Sequence, residues 1–282
     1  MNNIILKKGK KQILRLIRKL DRRIGWKILN DGPYKVQSFL IFIKPNAPMF
    51  GELVTGNGFH ENLSTSLVQK FLKKGMTFVD VGANIGYFTL IAAKCVGTKG
   101  RVFSFEPELE NFNLLCKNIK INCFTNVSPE NLALSDLDGK SLLYKDPNSK
   151  GRHSICVSRD DWEPLACKTV RLDTYFKQKR FREAIDFIKI DAEGAELKVL
   201  RGMSNLIDPH TTNLLLEFSQ KLIVESGENV SNFINFLIQI GYKKVKIIDE
   251  KEQNTYVFNI SELNSLDENK TYNLFLATSD SN

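Results

Sequence analysis

The chain has 282 residues, 42 % hydrophobic and 26 % charged, with 40 Lys plus Arg against 32 Asp plus Glu and a net charge of +8. These proportions suit one large globular domain or two small ones, and they exclude a chain that is disordered, collagenous or coiled-coil throughout. No run reaches the roughly 18 uninterrupted apolar residues of a spanning helix, and the charged N-terminus is not a secretory signal, so a cytoplasmic protein is expected.

Five cysteines form an odd set without C-x-x-C spacing or neighbouring histidines, so neither a disulfide framework nor a bound metal is expected. Charge is unevenly spread. Residues 1–30 hold ten basic side chains and one acid, while Ile13, Leu16, Ile17, Leu20, Ile24 and Ile28 recur at helical spacing. This predicts a basic amphipathic extension over 1–32 that either packs on its own domain or adsorbs to an anionic membrane, peripheral on the inner face. The rest of the chain is close to neutral and the extension has one aromatic, Trp26, so a nucleic-acid partner is not expected.

Residues 33–74 read as a cap: a strand or hairpin over 36–43, closed by Pro45 and Pro48, then a helix over 61–74 stopped at Gly75. From 75 to 282 strands and helices alternate, with strands over 77–81, 101–105, 127–134, 185–190 and 214–218 and helices over 85–95 and 109–121. A polar insertion at about 142–170 interrupts them. Alternation of this kind predicts an open parallel sheet covered on both faces. Short strands over 242–248, 256–260 and 272–277 are expected to complete its edge as an antiparallel hairpin.

The run Asp80-Val81-Gly82-Ala83-Asn84-Ile85-Gly86 takes a strand through a small-residue turn into a helix, which offers backbone N–H groups to a ligand. Gly82 is expected to let the backbone approach that ligand, Gly86 to let helix pack on strand, and Asp80 to attract an ammonium or sulfonium. Glu106 lies twenty-four residues beyond Gly82 at the next strand end, the spacing of an acid that binds a ribose diol. G-x-G-x-x-G is absent. That weakens a nicotinamide-dependent oxidoreductase and favours S-adenosylmethionine, with an inactive binding module as a further alternative.

With Phe105-Glu106-Pro107, Asn131-Leu132-Ala133-Leu134-Ser135-Asp136 plus Gly139, Lys189-Ile190-Asp191-Ala192-Glu193-Gly194-Ala195-Glu196 and Leu200-Arg201-Gly202 in order, residues 60–220 resemble the FkbM family of S-adenosylmethionine-dependent methyltransferases. The resemblance implies a class I, Rossmann-like α/β fold, a doubly wound seven-stranded sheet with its last strand antiparallel. It also implies methylation of a hydroxyl on a glycan or small molecule. Gly82, Ala83, Asn84 and Gly86 would then curl round the methionine end of the cofactor, Glu106 would hold its ribose, and Ala133, Leu134 and Asp136 would flank its adenine.

Period-two alternation sends Lys189 and Asp191 to one face of a strand whose C-terminal end would meet the ligand, with Glu193 just beyond. Asp191 is the first candidate for the group that takes the hydroxyl proton. Glu193 and His60 follow, and Lys189 is either an ion-pair partner or a substrate contact. Glu196 is expected to interact with the start of a helix.

Overall fold

A computed structural model of the chain describes residues 32–45, 47, 49–146, 153–159 and 161–277. The expected basic helix over 1–31 lies outside them. The apolar runs form one eight-stranded sheet in the order β13-β12-β14-β11-β10-β3-β4-β5. Its parallel half comprises β3 (Thr77–Val81), β4 (Arg101–Phe105), β5 (Val127–Glu130), β10 (Phe187–Ile190) and β11 (Asn213–Phe218). Every residue of β3 and β10 is buried, as expected for strands covered on both faces.

β14 (Tyr272–Leu276) inserts antiparallel between β11 and β12 (Lys244–Asp249), and β13 (Asn254–Asn259) folds back on β12 at the edge. The class I pattern expected from the sequence is therefore present with one strand added, eight rather than seven. Strand order reverses between β3 and β10, so their C-terminal ends open a crevice at the topological switch point.

The segment 127–134, expected as one strand, divides. Asn131 donates from Nδ2 to the carbonyls of Glu106 (2.9 Å) and Pro107 (3.0 Å), which pins the chain at the end of β4. Beyond that point β6 (Ala133–Leu134) leaves for a second sheet, order β6-β9-β7-β8, built from the insertion: β7 (Gly139–Lys145), β8 (His153–Ser154) and β9 (Glu163–Val170).

One sheet face packs on α4 (Leu172–Gln178), α5 (Glu196–Arg201), α6 (Gln220–Glu225) and α7 (Val230–Gln239) through a cluster that includes Phe105, Phe176, Leu200 and Phe233. The other face packs on α1 (Asn62–Phe71) and α2 (Tyr87–Val96), with Phe78, Leu90 and Phe187 at its centre. The hairpin of β1 (Tyr34–Val36) and β2 (Phe39–Ile41) enters this second cluster through Val36, Phe39 and Ile41. It is bound to α3 (Leu109–Ile121) by Asn118, whose Oδ1 accepts from Phe42 N at 2.6 Å.

Helix α1 begins at Asn62, one residue later than expected, because Glu61 sits in the left-handed region (φ 47°). No side chain of its own caps it. Glu250, in the β12–β13 turn, accepts from Ser64 N (2.7 Å) and Leu63 N (3.2 Å) instead, and these donors are otherwise orphaned at a helix start.

Candidate active site

The turn after β3 is made by backbone. Gly82 (φ +74°) and Ala83 both donate their N–H groups to Phe105 O at 3.0 Å. A Cβ on Gly82 would lie 1.8 Å from the carbonyl oxygen of Asp191. The missing side chain therefore makes room for the end of β10, a correction to the expectation that it clears space for ligand. Gly86 (φ +93°) is corrected too: its clearance is against Leu115 Cδ1, 2.5 Å from an added Cβ, so the glycine admits helix α3 rather than a strand, and it does not line the cavity. Between them Asn84 takes φ +51°, tolerable for Asn, and donates its N–H to Glu106 Oε2 at 2.7 Å.

A cavity of about 550 Å³ opens at the C-terminal ends of β3, β4 and β10. Glu106 lies in its wall, 4 % exposed, with Oε1 accepting from Glu108 N (2.8 Å) and Oε2 from Asn84 N. Burial pushes its carboxyl up to about 8, against those two hydrogen bonds. Each oxygen keeps a further lone pair for a ligand hydroxyl. Asp80 is 1 % exposed; its Oδ2 accepts from Thr89 Oγ1 at 2.6 Å, while its Oδ1 is buried without a partner. Burial raises its carboxyl above the usual range.

Ala133, Leu134 and Leu143 form an apolar part of the wall. Asp136 does not join them. Its carbonyl accepts from Arg171 Nη1 (2.9 Å), and the preceding Ser135 carbonyl closes on Gly202, where a Cβ would stand 2.0 Å away. The end of that segment, Ser135 and Asp136, thus clasps the Leu200-Arg201-Gly202 segment, while Ala133 and Leu134 face the cavity. What does line the cavity fits S-adenosylmethionine: an unpaired buried carboxylate oxygen for a cation, an acid with spare acceptors for a diol, and an apolar wall for a flat ring.

At the other end of the cavity, buried Lys189 sets its Nζ 2.9 Å from Asp191 Oδ2 and 4.8 Å from the centre of the Phe88 ring. Burial alone would lower the amine, but Asp191, Glu61 and Asp80 outweigh it and hold the ammonium charged. Oxygens of Asp191, Glu193 and Glu217 lie within 4.8 Å of one another, a set that could ligate a divalent cation and that the sequence did not suggest. Glu217 has one buried oxygen without a partner, and burial together with the neighbouring carboxylates drives its carboxyl well above the ordinary value. Glu193 holds φ +49°, and its carbonyl accepts from Ser154 Oγ at 2.6 Å. Glu196 closes the turn between them, accepting from Ala192 N (3.0 Å) and Gly194 N (3.1 Å). Its carboxyl is pushed by burial to about 7.

His60 reaches the same cavity from the segment before α1. Its Nδ1 stands 2.6 Å from Glu52 Oε2 and its Nε2 3.5 Å from Glu61 Oε1, while its backbone N–H donates to the Tyr87 hydroxyl at 3.2 Å. Burial works to lower the imidazole, but the hydrogen bond its Nδ1 donates to Glu52 and the charge of Glu61 leave it raised. Glu61 is itself tied by Asn273 Nδ2 to Oε2 at 2.9 Å.

All four catalytic candidates, Asp191, Glu193, Lys189 and His60, therefore line one cavity with Asp80, Gly82, Ala83, Asn84, Glu106, Ala133 and Leu134. Glu52 and Glu61 were missed, although Glu61 adjoins a histidine that had been singled out.

A family model described as "Methyltransferase FkbM domain" matches residues 80–244. The hexuronic acid methyltransferase AglP of Haloferax volcanii is 31 % identical over 129 residues, 45 % of this chain and 50 % of that protein. Methyltransferase 1 of Beauveria bassiana is 24 % identical over 45 % of this chain and 58 % of its own length. The chain thus matches only about half the length of these relatives. Among solved structures, methyltransferase FkbM from Methylobacillus flagellatus is 17 % identical with a TM-score of 0.43, covering 71 % of this chain and 43 % of that one.

Proposed function

The chain belongs to the FkbM methyltransferase family, and from that premise we propose that it is an S-adenosylmethionine-dependent O-methyltransferase acting on a hydroxyl of a glycan or small molecule. The observation that carries this reading is the pairing, in one cavity, of an unpartnered Asp80 oxygen and the buried Glu106 carboxyl with the His60, Lys189 and Asp191 group. Similarity to a hexuronic acid methyltransferase supports a sugar acceptor.

When bound, S-adenosylmethionine supplies an electrophilic methyl group on a sulfonium. Glu106 would hold the ribose diol, Asp80 would meet the positive charge, and Ala133 and Leu134 would flank the adenine. Lys189 is charged and buried, so it donates to an acceptor oxygen and fixes its place, an effect whose upper range is about 7 to 11 kcal/mol for full orientation of reactants. Asp191 shares its carboxylate with that ammonium and serves to orient it.

The hydroxyl proton goes to His60. Its ring is braced at Nδ1 by Glu52, so in the neutral imidazole the lone pair lies on Nε2, and the neighbouring Glu52 and Glu61 favour the imidazolium that forms when Nε2 takes the proton. Titration calorimetry with S-adenosylhomocysteine, followed by turnover against hexose and hexuronate acceptors, tests the reading. A folded chain that does not bind S-adenosylhomocysteine would end it.

A further inference from the structure

A second cleft, of about 380 Å³, lies at the opposite end of the sheet, where β12 begins and α1 ends. Helix α1 ends over β14, where Phe71 packs its ring at a tilt of 54° against Phe275 with ring centres 4.7 Å apart. Beyond it the same sheet face continues through Lys244 and Lys246 on β12 to Val257 on β13, directly opposite Lys246 in the register and 66 % exposed.

Lys70, Lys243, Lys244 and Lys246 line this cleft, and among the described residues no acidic side chain does. None of the four lysines forms an ion pair with a described carboxylate. Several lysines elsewhere are neutralised, as with Lys44 on Glu110, Lys145 on Glu108 and Lys270 on Asp249, whereas this cleft gathers four that are not. Four amines left together at the rim of an apolar step are a surface built for negative charge.

We propose that this cleft docks the protein on an anionic phospholipid surface. The four ammonium groups would meet headgroup phosphates, and Val257 would enter the boundary between headgroups and acyl chains. The chemistry favours lipid over nucleic acid. The cleft contains no arginine to grip a phosphate with two parallel bonds; its Tyr242 and Phe275 rings are 3 % and 2 % exposed, and its one half-buried ring, Phe71, is engaged by Phe275 and by Lys70 Nζ, 5.5 Å from the ring centre. It also disfavours the chain's own residues 1–31, whose ten basic side chains would meet like charge. Docked in this way, the 550 Å³ cavity stays clear of the bilayer by the length of the strands, roughly 17 to 20 Å.

The test uses the full chain, with Lys243→Glu/Lys244→Glu/Lys246→Glu and separately Val257→Asp. Partition onto vesicles of phosphatidylcholine containing one-third phosphatidylglycerol is measured by sedimentation, and S-adenosylhomocysteine titration is run on every sample to report an intact fold. The expected result is binding of the wild-type chain, release by high salt, at least tenfold weaker partition of the triple variant and a smaller loss for Val257→Asp, with nucleotide affinity unchanged. Three results would overturn the proposal: no sedimentation of the wild-type chain, equal sedimentation of the triple variant, or tighter lysine-dependent binding to poly-uridylate than to the vesicles. Should the triple variant fail to fold, Val257→Asp decides alone, since an unchanged partition would likewise overturn it.

Discussion

The two ends of the catalytic cavity are made of different materials. The end near Gly82 and Glu106 is backbone: N–H groups of Gly82, Ala83 and Asn84 are committed to Phe105 and Glu106, and the whole wall comes from two neighbouring strand ends. The end near His60 and Lys189 is charge, assembled from the segment before α1, from β10 and from β11, with acids on every side of one buried ammonium. Backbone fixes one geometry and tolerates little change. A group of mutually dependent charges can be retuned one residue at a time, which suits the proposed division into a cofactor end and an acceptor end.

Substitutions can break that contrast. Gly82→Ala should be the most damaging, because it adds an unfavourable φ to a collision with the Asp191 carbonyl. A loss on the order of 4 kcal/mol is expected, against about 1 kcal/mol for Gly75→Ala, which has a similar φ (+90°) and nothing within 4 Å. Denaturant melts of the pair measure the difference, and equal midpoints would mean that the turn does not press on β10.

Lys189→Met comes next, at about 2 to 3 kcal/mol, a figure reduced from that for a fully buried pair because Asp191 is 31 % exposed. Removing the ammonium lets Asp80 and Glu61, already raised by burial, rise further. An acid whose pKa is raised on folding stabilises the fold below its unfolded value, near 4, and loses that stability as pH climbs through the folded value. The deficit of the variant should therefore be small near pH 4 to 5 and widen toward pH 8 in melts across that range.

At the backbone end, affinity for S-adenosylhomocysteine should tighten as pH rises through about 8, because the ionised Glu106 carboxyl accepts ribose hydroxyls better than the neutral one. Glu106→Ala should weaken binding about tenfold or more and flatten the profile, which calorimetry at several pH values would reveal. The smallest effect is expected from Glu52→Gln. It should leave nucleotide affinity unchanged, lower the His60 pKa by removing its charged partner, and cut turnover roughly three- to tenfold with the acid limb of the rate profile displaced to lower pH. An unmoved limb would take the proton-accepting role away from His60.

What the sequence disclosed follows the same division. Buried strands, the glycine turn and Glu106 were legible because each depends on local pattern: apolar runs, a positive φ, an acid at a strand end. Gly86 and Asp136 were placed at the ligand because their segments belong to family-like motifs, yet the surroundings that explain them, Leu115 and Gly202, come from other segments of the chain. Glu52 and Glu61 carried no shared signal at all. They meet only because a loop before the first parallel strand folds over the ends of strands far along the chain, and no spacing rule spans that distance.

One quiet contact has a long reach. Glu250 caps α1 and Asn273 tethers Glu61, so the β12–β13 turn and β14, third from the sheet edge, hold the loop that carries His60. Heredity can use this. On the proposed mechanism, substitutions at Glu250 or Asn273, neither of which lines the cavity, would shift the footing of the imidazole and leave the nucleotide end alone. On that reading, a lineage could exchange one acceptor for another and keep its methyl donor throughout.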